Sequence, residues 1–154
     1  MIDTFLANTY STQQIRKRLQ ALKTALASRF FGGTEESILL EEKNWLETLP
    51  QSFFQQFSES KMNDQLAQLE KELQGLATII IYIAFEISEA EINALGVWIK
   101  KNIHPQRIFE IKIDPNVIGG CAFSWKGLYK DYSLRSKIEL HREDILTDIK
   151  NFQH

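Results

Sequence analysis

The run TIIIYIAF, residues 78–85, changes the character of the chain. It is crowded with β-branched and aromatic residues and carries no charge. It is far shorter than the ~20 apolar residues a membrane helix needs. Its bulk and length predict a buried central strand. Before it, apolar residues recur by threes and fours. After it, strand-like and helix-like stretches alternate. The boundary therefore falls near residues 74–77. It divides the chain into an N-terminal helical domain, 1–75, and a C-terminal α/β domain, 76–154.

Working back from this run, Met62, Leu66, Leu69, Leu73 and Leu76 follow a near-3.5 spacing. A helix with that seam packs on other helices or on a partner helix. Gly75 ends it. Residues 58–61, SESK, read as a turn, and 51–57, QSFFQQF, as a short helix after Pro50. Thr34 with Glu35 and Glu36 is expected to open another helix, because acidic residues favour a first turn. Its apolar positions are Ile38, Leu39, Trp45, Leu46 and Leu49. Further back, Ser11-Thr12-Gln13-Gln14 has the form of a capping box. The stripe Ile15, Leu19, Leu22, Leu26 and Phe30 follows it and stops at Gly32-Gly33. Three or four helices are thus read before residue 76.

Working forward, Ser88 with Glu91 forms a second capping box. It opens a helix bearing Ile92, Leu95, Val97 or Trp98, and Ile99. Ile108–Ile113 alternates apolar with charged residues, as a half-buried strand does. IDPNVIGG, 113–120, is a tight glycine-ended corner. Cys121–Trp125 and Leu128–Tyr132 are predicted strands around a Lys126-Gly127 hairpin turn. Ser133 is expected to cap one last helix carrying Leu134, Ile138, Ile145, Ile149 and Phe152. The expected fold class is α+β: an all-helical N-terminal bundle and a small βαββα domain with a mixed sheet.

The 154 residues are 44% hydrophobic and 25% charged, which suffices for a buried core. Lys plus Arg number 18 and Asp plus Glu 20, a net charge of −2. That balance gives no global attraction for nucleic acid or an anionic membrane. The one cysteine permits no internal disulfide. The opening MIDTFLANTYSTQQ lacks the pattern of a signal peptide, and a soluble chain is expected.

The chemistry of sites yields only exclusions. His104, His141 and His154 are never three or four residues apart, so no helical metal pair forms. Cys121 lacks a nearby base and reads as a small packed thiol. Neither GxxxxGK[ST] nor GxGxxG occurs, and Gly119-Gly120 leads into a strand rather than a helix N-terminus. The pairs Glu35/Glu36, Glu41/Glu42 and Glu89/Glu91 fit helix starts or exposed faces. No catalytic residue, cofactor or metal is expected. One rival reading is a small single-stranded RNA-binding module. It would use Phe123, Trp125 and Tyr129 of the 121–132 hairpin, in a region made basic by Lys112, Lys126, Lys130, Arg135 and Lys137. The corner itself reads as architecture. Pro115 fixes φ and keeps Asp114 extended, Asn116 suits a turn, and Gly119 and Gly120 permit positive φ.

The corner, the hairpin and DYSLRSKI after it resemble the C-terminal signature of the delta subunit of F-type ATP synthase, called the oligomycin-sensitivity subunit in mitochondria. Asp114, Pro115, Ile118, Gly119 and Gly120 match its first part. Asp131, Ser133, Leu134 and Arg135 match its second, and the resemblance spans roughly residues 62–140. The first 75 residues depart from it: the family's Arg/Tyr-Ala-x-Ala-Leu opening is absent, and its helical bundle is fuller. What the resemblance implies is a non-catalytic peripheral-stalk, or stator, subunit of a proton-translocating complex. Such a subunit joins the alpha subunit's N-terminal helix, on the catalytic head, to the b-subunit stalk and resists rotor torque. It has no cofactor and binds no nucleic acid. It also implies a bacterial cytoplasmic location, peripheral to the inner face of the plasma membrane through the complex. Ile15, Leu19, Leu22, Leu26, Met62, Leu66 and Leu69 are the candidate groove for a partner helix.

Overall fold

The structure is a computed structural model describing residues 1–34 and 36–151. Glu35, Phe152 and His154, used in the sequence reading, lie outside the described residues. The protein is α+β, with helices before a four-stranded mixed sheet and more helix after it. It forms two compact units. The first is Met1–Thr78 with Glu89–Phe109, and the second is Ile79–Ser88 with Glu110–His154.

The first unit holds helices α1 (Ile2–Leu6), α2 (Thr12–Phe31), α3 (Leu40–Thr48), α4 (Gln51–Phe54), α5 (Met62–Gln74) and α6 (Glu89–Asn102). A 3-10 turn, Glu59–Lys61, leads into α5. The Ser11 box is formed in full. Gln14 N–H donates to Ser11 Oγ at 3.1 Å, and Gln14 Oε1 accepts from Ser11 N–H at 3.3 Å. Gly32, at φ 76°, ends α2. The α2 and α5 stripes share one core, with Leu22 and Leu26 at 0% exposure and Leu69 at 1%, and Phe5 and Phe53 join them there. Phe5 meets Trp45 edge-on at 5.1 Å, which seats α1 against α3.

Several elements differ from expectation. Short α1 carried no periodic signal, and only its burial of Phe5 and Leu6 reveals its purpose. Helix α3 starts at Leu40, later than read, because Leu39 is extended at φ −65°, ψ 155°. Glu41 and Glu42 therefore supply the acidic first turn. Ile38 is buried outside the helix, while Leu39 is exposed. On α6 the buried line is Ile92, Gly96 and Ile99, and Val97 and Trp98 face solvent.

The second unit is built on strands β1 (Thr78–Ile83), β2 (Ile108–Ile113), β3 (Ala122–Trp125) and β4 (Leu128–Asp131), in the order β2-β1-β3-β4. The C-terminal ends of β1 and β2 meet where Asp114 N–H donates to Ile83 O at 2.8 Å. β1 pairs antiparallel with β3, Ile81 opposite Phe123. β3 pairs with β4, Trp125 opposite Leu128. The turn between them has Lys126 at φ 49° and Gly127 at φ 78°, both positive as the primed hairpin turn requires. β1 is central as predicted, but only Ile79 of its six residues is buried. The single last helix expected is two, α7 (Leu134–Leu140) and α8 (Arg142–Asn151). His141, at φ −106° and ψ 18°, leaves helical geometry between them.

Candidate partner-docking surfaces

In the first unit the polar chemistry gathers on Gln14, which is 3% exposed. Besides closing the capping box, its Oε1 accepts from Tyr10 N–H at 2.9 Å. Its Nε2 donates to Glu89 Oε1 at 2.5 Å and Asn93 Oδ1 at 2.9 Å, both on α6. Every hydrogen-bonding atom of a buried amide is thus engaged, as burial demands. Lys100, two turns further along α6, donates to the carbonyl of Leu6 at the end of α1. Its Nζ lies 4.7 Å from the Tyr10 ring centroid. Burial, and then the charge of Arg18, lower its pKa to about 8. Arg18 Nη1 donates to Asn8 O at 2.5 Å and Thr9 Oγ1 at 2.8 Å. Phe109 N–H donates to Tyr10 O at 3.0 Å. Residues 6–11 are therefore held from α2, from α6 and from the start of β2.

The candidate groove residues Ile15, Leu19, Leu22, Leu26, Met62, Leu66 and Leu69 all lie in the first unit's core, at 8% exposure or less. Leu22, Leu26 and Leu69 are sealed from solvent. Ile15 and Leu19 also border an open groove of about 310 Å³ between α2 and α5. Arg16, Glu70 and Leu73 are among its other lining residues, with Thr12, Gln74, Thr78 and Ile108. Lys23 pairs with Glu70 at 3.2 Å.

In the second unit the two halves of the C-terminal signature come together. Asp114 Oδ1 accepts from the backbone and side-chain N–H groups of Asn116, each at 2.9 Å, and this forms the turn after Pro115. Gly119 and Gly120 take φ 63° and 88°. A Cβ on Gly120 would lie 2.6 Å from Tyr132 O, so only glycine fits. Leu134 N–H donates to both Ile118 O, 2.9 Å, and Gly119 O, 2.7 Å. Ser133, 1% exposed, caps α7 by accepting from Ser136 N–H at 3.2 Å. Asp131 Oδ1 accepts from Ser133 N–H at 2.8 Å. That backbone bond, then Ser133's side chain and Arg135, hold the Asp131 carboxyl below the usual carboxylate range. Arg135 pairs with Glu139 at 2.9 Å. Ile118 is exposed.

Beyond the corner lies an apolar surface. The expected stripe Leu134, Ile138, Ile145 and Ile149 is 39–52% exposed, and no residue of α7 or α8 is buried. Helices this short are marginal in water without an apolar face packed away. The hairpin aromatics engage one another: Phe123 stacks on Tyr132 at 5.6 Å, and Tyr82 meets Tyr129 at 6.1 Å. Lys126 lies over Trp125.

Among the described residues no group of three or more His, Cys, Asp or Glu is placed to hold a metal ion. Cys121 is a free thiol, half-buried. No described helix is long and apolar enough to cross a membrane.

The chain is thus α+β, with exposed apolar side chains on α7 and α8 and no metal cluster among the described residues. The family model for "ATP synthase delta (OSCP) subunit" matches residues 43–145. The chain belongs to that family. It is also similar to the "ATP synthase subunit delta" of Dichelobacter nodosus (strain VCS1703A), 24% identical over 104 residues. The aligned part is 68% of this chain and 56% of that protein, so the chain spans about half the length of the curated relative it matches.

Proposed function

We propose that the chain is a non-catalytic stator subunit of a proton-translocating ATP synthase, holding the catalytic head to the peripheral stalk against rotor torque. The observation that carries this reading is the family match, which covers both halves of the C-terminal signature. The helical half, 1–75, takes the amphipathic N-terminal helix of an alpha subunit along the α2/α5 groove. Ile15 and Leu19 lie beneath that groove, and Arg16 and Glu70 flank it. The α/β half, 76–154, takes the end of the b subunits on the exposed face of α7 and α8. Its open apolar side chains are what a helix-in-groove contact uses. The signature residues Asp114, Pro115, Ile118, Gly119, Gly120, Asp131, Ser133 and Arg135 serve architecture by holding the corner against α7. The protein sits on the cytoplasmic side of a bacterial plasma membrane through its complex. It makes and breaks no bonds itself.

The test is co-purification of the tagged full chain with alpha, beta and b subunits from the native source. Two full-length variants divide the contacts. Ile145→Lys with Ile149→Lys should release b and keep alpha, whereas Arg16→Glu with Glu70→Lys should do the reverse. Recovery of no synthase subunit, or salt-dependent capture of single-stranded RNA instead, would overturn the reading.

A further inference from the structure

We infer that the outer edge of β4 accepts an extended strand from another protein, added antiparallel, with an acidic residue opposite Lys130 and a basic one opposite Asp131. β4 ends the sheet order β2-β1-β3-β4, and among the described residues no strand lies on its other side. All four of its residues are exposed. An uncovered edge of this kind presents backbone donors and acceptors that a further strand can take up. The site uses no residue of the α7/α8 face or of the α2/α5 groove, so it stands or falls separately from the stator reading.

The hairpin register identifies the open backbone groups. Tyr132 N–H donates to Cys121 O, so those two residues form a hydrogen-bonded pair. Hydrogen-bonded and non-hydrogen-bonded pairs alternate along an antiparallel ladder. Lys130, opposite Phe123, and Leu128, opposite Trp125, therefore turn their N–H and C=O groups inward to β3. Tyr129 and Asp131 turn theirs outward. Side chains follow the same alternation: Leu128, Lys130 and Tyr132 share one face of the edge, and Tyr129 and Asp131 the other. An edge that had only to be kept from sticking would be charged or blunted throughout. Here Leu128, Tyr129 and Tyr132 are 53%, 56% and 50% exposed. Phe123 stacks on Tyr132, and Tyr82 meets Tyr129, so both tyrosines are already ordered and lose little freedom when a partner docks.

The side chains choose the occupant. A strand bonded to Tyr129 and Asp131 sets one residue directly opposite Lys130, in a non-hydrogen-bonded pair with Cα atoms about 4.5 Å apart. A second copy of β4 in that register would bring Lys130 against its own counterpart, and like charges directly opposite destabilise a pair. Centring two copies on Asp131 opposes two carboxylates. Centring them on Tyr129 sets Asp131 against Gly127 of the turn and loses its backbone bonds. The occupant is therefore a different chain. Read from its N-terminus, it places an apolar residue opposite Tyr132, Lys or Arg opposite Asp131, Glu or Asp opposite Lys130, a β-branched residue opposite Tyr129 and an apolar residue opposite Leu128. Each side chain of the edge then meets one of matching kind, which fixes register and suppresses wrong partners.

The probe is the synthetic peptide Val-Lys-Glu-Thr-Val between Gly-Ser flanks. It is titrated into the full chain while amide shifts and hydrogen exchange are followed residue by residue. The amides of Tyr129 and Asp131 should shift and gain protection, while Lys130, already bonded to β3, keeps its own. That alternation distinguishes an added strand from any other contact on the same surface. Replacing the peptide's Glu by Lys should weaken binding by about fivefold. N-methylation of its Lys and Thr, whose N–H groups would bond to Asp131 and Tyr129, should abolish it. The Lys130→Glu variant should prefer the peptide with Lys at the central position, and that gain shows that the variant is folded. Equal affinity for the two peptides, uniform protection along β4, shifts centred elsewhere, no binding, or protection of Tyr129 and Asp131 that grows with chain concentration alone would each overturn the assignment.

Discussion

Gly96 of α6 lies directly beneath the ring of Tyr10: a Cβ built on Gly96 would stand 2.2 Å from Tyr10 Cγ. The glycine lets α6 approach closely enough for Lys100 and Asn93 to reach their partners on the other side of the joint. At an open helix site Gly→Ala stabilises by roughly 1 kcal/mol. Here the added methyl meets a ring locked by a cation above it and by backbone bonds on either side. Gly96→Ala is expected to destabilise by about 1–3 kcal/mol in urea denaturation, the usual range for overpacking. A gain in stability would show that Tyr10 is free to move aside.

The two positive-φ glycines of the second unit should respond differently. Gly120 faces Tyr132 O, whereas nothing lies within 4 Å of the Cβ position of Gly127. Gly120→Ala combines a left-handed backbone with a backbone clash and should cost about 2–4 kcal/mol. Gly127→Asn should stay within about 1 kcal/mol, since Asn tolerates that turn position. Thermal denaturation of the pair decides. Equal losses would remove the corner's special place.

Ser133→Ala removes the α7 cap and is expected to lower stability by about 1 kcal/mol. Asp131 adds a pH signature. Its folded pKa lies below its unfolded value, so it stabilises the fold above pH of about 4. That contribution fades as pH falls through the depressed folded pKa. Asp131→Asn should flatten this part of the acid limb, measured as midpoint against pH. An unchanged acid limb would mean the Ser133 N–H bond does not discriminate between the two protonation states.

Lys100 gives the same sense of slope in the alkaline range. Its folded pKa is lowered to about 8, first by burial and then by Arg18. An unfolded lysine titrates near about 10.4. Between these values the unfolded chain binds more protons, so stability rises with pH over that window. The carbonyls of Leu6 and Ala7 and the Tyr10 ring favour the ammonium and temper the effect. Lys100→Met should abolish the alkaline rise. A rise that survives the substitution belongs to another group.

A chain ending at residue 78 lacks α6 and leaves Gln14 without Glu89 and Asn93. We expect such a fragment to melt broadly and well below the full chain, because a buried amide loses two partners at once. A sharp transition at the parental temperature would show that the helices before β1 stand alone.

Where the chain reports itself through side chains, the sequence was legible. The Ser11–Gln14 box, the α2 and α5 stripes, the Lys126-Gly127 turn and the Ser133 cap all rest on residue types with one strong local preference. The misreadings share a cause. Gly96 holds the place of a buried apolar residue, yet glycine adds nothing to a hydrophobic pattern, so Val97 and Trp98 took its position in the reading. Helix α1 is too short for periodicity, and tertiary burial of Phe5 and Leu6 holds it. Leu39 reads as helical by composition, but its extended backbone delays α3. Among the candidate docking residues, Ile15 and Ile145 look alike in sequence. One is 8% exposed and the other 39%, and only the fold separates core from open face.

The hairpin's two ends are fastened to each other. Tyr132 N–H donates to Cys121 O at 2.9 Å, just outside the paired strands. Leu134 N–H binds the carbonyls of Ile118 and Gly119 one step further out. Everything between residues 121 and 132 leaves and returns through one doorway. Extra residues spliced in at Lys126-Gly127 would lengthen that excursion without pulling on the corner, which makes the hairpin tip a natural place to carry a fluorophore or an affinity tag.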